Sequence, residues 1–173
     1  SDKYYSDKSP WPSSEAIQSE CGNDAYFLFY YKEMAFRHLF LRGKPALQDQ
    51  LDAWENYCHL FDVVLAAEDK DMSTNAQWAS EIIHEFVYQF QSFCQFRTDL
   101  SRREQEEIEV LEANPDAWAA PRVISYLKRL SLVGNVSGVL AAQRDSNPAA
   151  FNVAPSLNHF HLGYFAIFGL SRL

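Results

Sequence analysis

The clearest regularity in the chain is a stripe of apolar residues, Leu47, Leu51, Trp54, Cys58, Phe61 and Leu65, recurring at alternating steps of four and three. That spacing is one face of an α-helix. Tyr57, Leu60 and Val64 add a second stripe beside it, so this helix has apolar surface to spare. From Asp24 to Arg42 the chain is apolar at nearly every position except Lys32, Glu33, Arg37, His38 and Arg42. A run such as Tyr26 to Tyr31 could be a buried strand, but the segment is too long without Gly or Pro, and Glu33 and Arg37 stand four apart as an intrahelical pair would. So narrow a polar strip predicts a helix sandwiched between others, and Gly43 with Pro45 supplies the break before the next.

Thr74-Asn75-Ala76-Gln77 has the form of a capping box and opens a long helix to about Arg97, with Trp78, Ile82, Ile83, Phe86, Val87, Phe90, Phe93 and Cys94 as its apolar positions. Ser101-Arg102-Arg103-Glu104 reads as a second box, with Glu104, Glu106 and Glu107 where the helix dipole favours anions and Ile108 and Leu111 facing inward. Asn114-Pro115 marks a stop and restart. Val123, Ile124, Leu127 and Leu130 form a further stripe, ended by Gly134-Asn135. From Val136 to Pro155 the pattern is weak and predicts a short helix and a loop, with the path over 134–155 left open. Ser156 can cap a last helix, whose apolar residues Leu157, Phe160, Tyr164, Ile167, Phe168 and Leu173 run to the final position. That unfinished pattern, with no initiator Met, suggests part of a longer protein.

The sum is six or seven helices, no strand or hairpin signal, and short loops that make successive helices antiparallel neighbours. The fold class is all-α, an irregular stack of antiparallel helical hairpins in the manner of a helical-repeat protein, though without a fixed period or a tetratricopeptide consensus. Residues 1–12, with Pro10-Trp11-Pro12 forcing an extended path, read as a tail, and residues 13–173 as one helical-repeat domain.

Composition sharpens this. Thirteen Phe, nine Tyr and four Trp are more rings than a minimal core of 173 residues needs, so some should meet other proteins. Phe160, Tyr164 and Phe168, four apart on the last helix, are expected to make such a contact. Fifteen basic against 23 acidic residues leave a charge of -8 with no large cationic cluster, so direct nucleic-acid contact is not expected. Three scattered cysteines suit a reducing compartment, and no apolar run approaches the roughly 20 residues of a membrane span. With no signal-peptide pattern at the N-terminus, the expected location is the cytoplasm, with no membrane partner.

The sharpest catalytic pattern is Glu81-Ile82-Ile83-His84, since a Glu and a His three apart on a helix can share a metal ion. Di-iron bundles use that unit twice, with two further carboxylates, and only one copy is present. Glu81, His84, Glu85, Tyr88, Ser92 and Gln95 also trace the polar strip opposite the Phe-rich face, which favours a solvated surface. His159 and His161 are spaced poorly for chelation, while His38 and His59 sit in apolar helices as core or boundary residues. No cysteine has the setting of a nucleophile, and six glycines build no phosphate loop. Gly163 and Gly169 instead permit close approach of another helix. Arg97, Arg102 and Arg103, followed at once by Glu104, Glu106 and Glu107, read as a solvated helix start. No catalytic residue, metal or cofactor is therefore assigned.

Several runs carry a resemblance: Pro10-Trp11-Pro12, Gly22-Asn23-Asp24-Ala25, Tyr31-Lys32-Glu33, Arg37-His38, Tyr57-Cys58 with Leu60-Phe61, and Gln77-Trp78. Glu85-Phe86-Val87-Tyr88-Gln89-Phe90-Gln91-Ser92-Phe93 is the most specific, followed by Glu106-Glu107-Ile108, Asn114-Pro115 with Trp118, and Leu162-Gly163-Tyr164-Phe165. In this order they resemble the N-terminal half of the subunit L family of eukaryotic translation initiation factor 3. The resemblance implies a non-catalytic subunit of a large cytoplasmic assembly that supports the 43S pre-initiation complex, binds the small ribosomal subunit and helps recruit messenger RNA. It implies a PCI-type subunit, with helical repeats before a winged-helix module that lies beyond these residues, and subunits K and E as nearest partners. Two alternatives stand beside it: a helical metal-carboxylate enzyme using Glu81 and His84, and a scaffold subunit of another PCI-type complex such as the proteasome lid or the signalosome.

Overall fold

Capping chemistry sets where the helices begin. The computed structural model of the chain describes residues 11–22, 24–43, 45–66, 75–144 and 156–173. The chain is all-α, with eight α-helices and no strand among the described residues: α1 (Ser14–Glu20), α2 (Ala25–Arg42), α3 (Leu47–Ala66), α4 (Ala76–Thr98), α5 (Gln105–Ala113), α6 (Ala120–Val133), α7 (Val136–Arg144) and α8 (Leu157–Ser171), with a 3-10 turn Leu100–Arg102 before α5. Side-chain oxygens of Ser13, Asp24, Asn75 and Ser156 accept from the amides of Ala16, Phe27, Trp78 and His159 at 3.3, 3.1, 2.8 and 3.2 Å. Each satisfies an amide that the helix leaves unpaired, worth about 1 kcal/mol.

The expected boxes shift in register. Asn75 is the cap of α4; Thr74 lies outside the described residues. The second box sits three residues later than read, where Glu104 caps α5 and its amide donates to Glu107 Oε2 at 3.2 Å, because Ser101 belongs to the 3-10 turn. Likewise the chain restarts at Ala120-Pro121 rather than at Pro115, since residues 115–118 form a turn that buries Ala117 and Trp118. The weak region resolves into α7 (Val136–Arg144), with 145–155 outside the described residues. The first helix, α1, had no apolar signal because it buries nothing.

The chain divides into two compact units, Ser1–Leu60 and Phe61–Leu173, the boundary falling within α3. In the first, Tyr30, Tyr31, Phe40, Leu47, Leu51, Trp54, Tyr57 and Leu60 are buried. Glu33, assigned by pattern to the polar strip, is instead only 1% exposed. Its carboxylate takes Arg37 Nη2 at 2.7 Å and the Tyr57 hydroxyl at 3.0 Å, the partners that make a buried charge tolerable. Trp11, from the end of the expected tail, packs against the rings of Tyr31 and His38 at 5.7 and 5.6 Å, and the Tyr31 hydroxyl donates to the Pro12 carbonyl at 2.7 Å. The sandwiching expected of α2 is incomplete: Tyr26, Phe27, Leu39 and Leu41 remain exposed.

In the second unit Phe61 meets Phe86 edge-to-face at 4.9 Å, Phe86 meets Trp118 at 5.5 Å, and Ile82, Val87, Phe93, Val123, Leu127 and Leu130 are buried in the same unit. Trp118 takes a positive φ of 51°, which a bulky residue avoids unless its surroundings hold it; burial of the whole indole does so here. Tertiary packing then departs from simple chain order, because α8 packs chiefly against α6 and α4 and only lightly against α7.

Truncating this cluster should be expensive. Phe86→Ala or Trp118→Ala should cost about 3–5 kcal/mol in urea unfolding, the range for a large buried ring. A pH effect follows from His38, whose imidazole is held below its usual range by burial and further by Arg42. With the folded value lowered, the unfolded chain takes up the proton first. The contribution is whole above the unfolded value of about 6.5 and is lost as the pH falls below it. Urea midpoints at pH 7.5 and 5 should differ more for the native chain than for His38→Gln.

Candidate functional site

Helix α8 contains no Asp, Glu, Lys or Arg, so its two faces are set by shape rather than charge. Inward it buries Asn158, His159, Leu162 and Ala166. The ring of His159 donates from Nε2 to the carbonyl of Val64 at 2.7 Å, satisfying a buried polar group and leaving that nitrogen unavailable as a ligand. Gly163 makes the closest approach: a Cβ there would lie 2.8 Å from both Gly134 Cα and the Leu130 carbonyl oxygen. A Cβ on Gly134 would reach within 2.6 Å of the His159 carbonyl oxygen. The backbones of α6 and α8 therefore cross with no side chain between them, as expected for Gly163. Gly134, read only as a helix stop, is in the right-handed region; Asn135 takes the positive φ of 40°. At Gly169 a Cβ would press on Ile83, Leu127 and Val87 at 3.1–3.4 Å.

The outer face is aromatic. Phe160 and Tyr164 stack at 6.2 Å, and Tyr164 meets Phe168 at 5.1 Å and Phe165 at 5.3 Å. Phe160 and Tyr164 are half-buried, while Phe168 and the adjacent Ile167 are 52% and 42% exposed. The three residues singled out from the sequence thus form one continuous ridge, which can bury rings against another apolar surface.

The chemistry weighed for the rest of this unit is taken up internally. Arg172 Nη1 donates to His84 Nδ1 at 2.9 Å, and the Glu81 carboxylate accepts from Gln77 Nε2 at 3.0 Å. A guanidinium beside the imidazole opposes a metal cation, and among the described residues no third His, Cys, Asp or Glu joins the pair. Arg97 donates to the carbonyls of Asn114 and Pro115 at 2.8 and 3.2 Å, Arg103 lies over the Phe96 ring at 3.5 Å, and Arg102 pairs with Asp99 at 3.4 Å. The cations of this cluster are spent on the turn between α4 and α5 and on the end of α5, not arrayed for phosphate. Burial pushes the Cys94 thiol up, partly offset by Arg97, which leaves it a protonated, poor nucleophile. Sequence reasoning missed Gln89, which is buried with both amide atoms lacking a hydrogen bond among the described residues. Its position did carry a signal, since it falls at the i+7 place of the stripe Ile82, Phe86 and Phe93, where its polar side chain hid it from an apolar count.

The family model described as RNA polymerase I-associated factor PAF67 matches residues 49–173. The chain is 39% identical over 171 residues to a Danio rerio protein named eukaryotic translation initiation factor 3 subunit L, 38% over 171 residues to the Xenopus tropicalis protein of that name, and 37% over 170 residues to the Homo sapiens one. Each match covers 95% of this chain and 30% of the relative, so the chain spans less than a third of the length of the curated relatives it matches.

The two faces of α8 predict opposite outcomes. Gly163→Ala gains about 1 kcal/mol in helix propensity. It should nevertheless destabilise by roughly 1–3 kcal/mol, because the methyl group must push two backbones apart. Phe168→Ala should change stability by less than about 1 kcal/mol and reduce binding of a hydrophobic dye. Equal costs for the two substitutions would contradict the assignment of faces.

Proposed function

The chain belongs to the PAF67 family, with relatives named eukaryotic translation initiation factor 3 subunit L, and from this we propose that it is a structural, non-catalytic arm of that initiation factor. The observation that carries the reading is the aromatic ridge Phe160, Tyr164 and Phe168, a row of rings on a helix with no charged residue. Rings held half-exposed at helical spacing gain free energy only when another surface covers them. In this proposal the described helices form a helical-repeat arm, residues 13–173, that precedes the winged-helix module of a PCI-type subunit. Subunits K and E are the neighbours, and the ridge is one of the contacts. The arm acts in the cytoplasm, supporting the 43S pre-initiation complex and messenger RNA recruitment through the assembly. It touches the small ribosomal subunit only through that assembly and performs no catalysis. The reading of Glu81 and His84 as a metal-carboxylate enzyme is not favoured, since each is engaged by a neighbouring side chain.

The test uses the full-length subunit with Tyr164→Asp and Phe168→Asp together. Incorporation into the factor, measured by recovery on a tag carried by another of its subunits, should fall at least about tenfold, a loss of about 1.4 kcal/mol or more in binding. Full incorporation would overturn the ridge as a contact. Recovery with RNA polymerase I, a proteasome lid or a signalosome in place of ribosomal components would move the arm to a different assembly.

A further inference from the structure

A second feature lies in the first unit, where α1, α2 and α3 enclose a groove of about 460 Å³. Its walls follow from helical spacing. Phe29, Lys32 and Phe36 recur at i, i+3 and i+7 on α2, and Asp52, Glu55 and His59 recur at the same intervals on α3. One end is pinned by Asn56 Nδ2, which donates to the Phe29 carbonyl at 3.1 Å, and by the Phe29 ring stacked on His59 at 6.0 Å. On the third side Glu15 of α1 is held in place through Pro12, whose carbonyl takes the Tyr31 hydroxyl at 2.7 Å. Asp52, Glu55, His59 and Glu15 are all exposed, so the groove opens to solvent along its rim.

The lining has two characters at once. Phe29, stacked on His59 on one side, and Phe36 contribute aromatic rings. The three carboxylates Glu15, Asp52 and Glu55, of which Asp52 accepts from Gln48 Nε2 at 2.7 Å, stand with a single ammonium, Lys32, leaving an excess of two negative charges. Of the amino-acid side chains, arginine matches both: its methylene stem and planar guanidinium lie on aromatic rings while its donors meet carboxylates. An anionic ligand would meet net repulsion, and a purely apolar one would leave the carboxylates desolvated and unpaired. We propose that this groove docks an arginine-bearing segment of a partner protein, with the guanidinium among Glu15, Asp52 and Glu55 and the flanking apolar residues against Phe29 and Phe36. The site shares no residue with the ridge on α8, so it stands or falls apart from that reading.

The probe is the peptide acetyl-Leu-Arg-Leu-Arg-Leu-amide, titrated calorimetrically into the whole chain at low ionic strength. Binding should weaken about tenfold or more in the variant Asp52→Lys with Glu55→Lys. It should tighten severalfold in Lys32→Ala and fall with added salt. These side chains are on the surface, and Glu55→Gln with a smaller loss serves if the double reversal unfolds the chain. Three results would each overturn the proposal: equal binding of the glutamate counterpart acetyl-Leu-Glu-Leu-Glu-Leu-amide, binding unchanged by the charge reversals, or arginine amide alone binding as tightly as the pentapeptide. No detectable binding at millimolar peptide would do so as well.

Discussion

Two glycines, Gly134 at the end of α6 and Gly163 in the middle of α8, let the backbones of these helices touch, and the second unit closes around that contact. Interhelical distance is normally set by the side chains at the crossing, about 8–10 Å. With hydrogen in place of Cβ at both positions, α8 can settle against α6 and still reach α4, where Gly169 meets Ile83 and Val87. Leu162 and Ala166 are buried as a consequence. A helix lodged in this way has one face committed by shape. The residues on its other side, Phe160, Tyr164 and Phe168, are left as a ridge because no described helix of the unit covers them fully.

Several polar side chains among the described residues hold turns and interiors. Glu33 is buried and would be untenable alone, yet Arg37 and Tyr57 neutralise and hydrogen-bond it. Arg97 satisfies carbonyls at the end of α5, His159 satisfies Val64, and Arg172 occupies His84. In each case a residue that could have served chemistry is held by an internal partner instead. Among the surfaces of the described residues are the aromatic area on α8 and the acidic rim of the groove between α2 and α3, both suited to binding other chains.

Much of this was legible in one dimension. The stripes on α3, α4 and α6 bury where periodicity placed them, with Val123, Leu127 and Leu130 as expected and Tyr57, Leu60 and Val64 proving the deeper of the two stripes on α3. On α8, by contrast, the face that buries is Asn158, His159, Leu162 and Ala166, and the apolar stripe Phe160, Tyr164, Ile167 and Phe168 lies outward. Helix starts were less legible, because several plausible oxygens stand near each one: Ser101 gave way to Glu104, and Pro115 to Pro121, when a 3-10 turn and a buried Trp118 took up the intervening residues. Gly163 and Gly169 could be recognised as sites of close approach, while the partner, Gly134, could not, since a glycine after a helix has an ordinary reason to be there.

The spacing of apolar residues by itself determined that the chain is helical, which faces of α3, α4 and α6 turn inward and which three rings line up on the last helix, because those properties depend on residues within two turns of one another. Only the tertiary structure decided that α8 packs against α6 and α4 ahead of α7, that Glu33 lies inside, and that residues of α1, α2 and α3 enclose one groove. These depend on atoms brought together from distant positions, where a missing Cβ, a charge partner or a hydroxyl 24 residues away decides what can be buried.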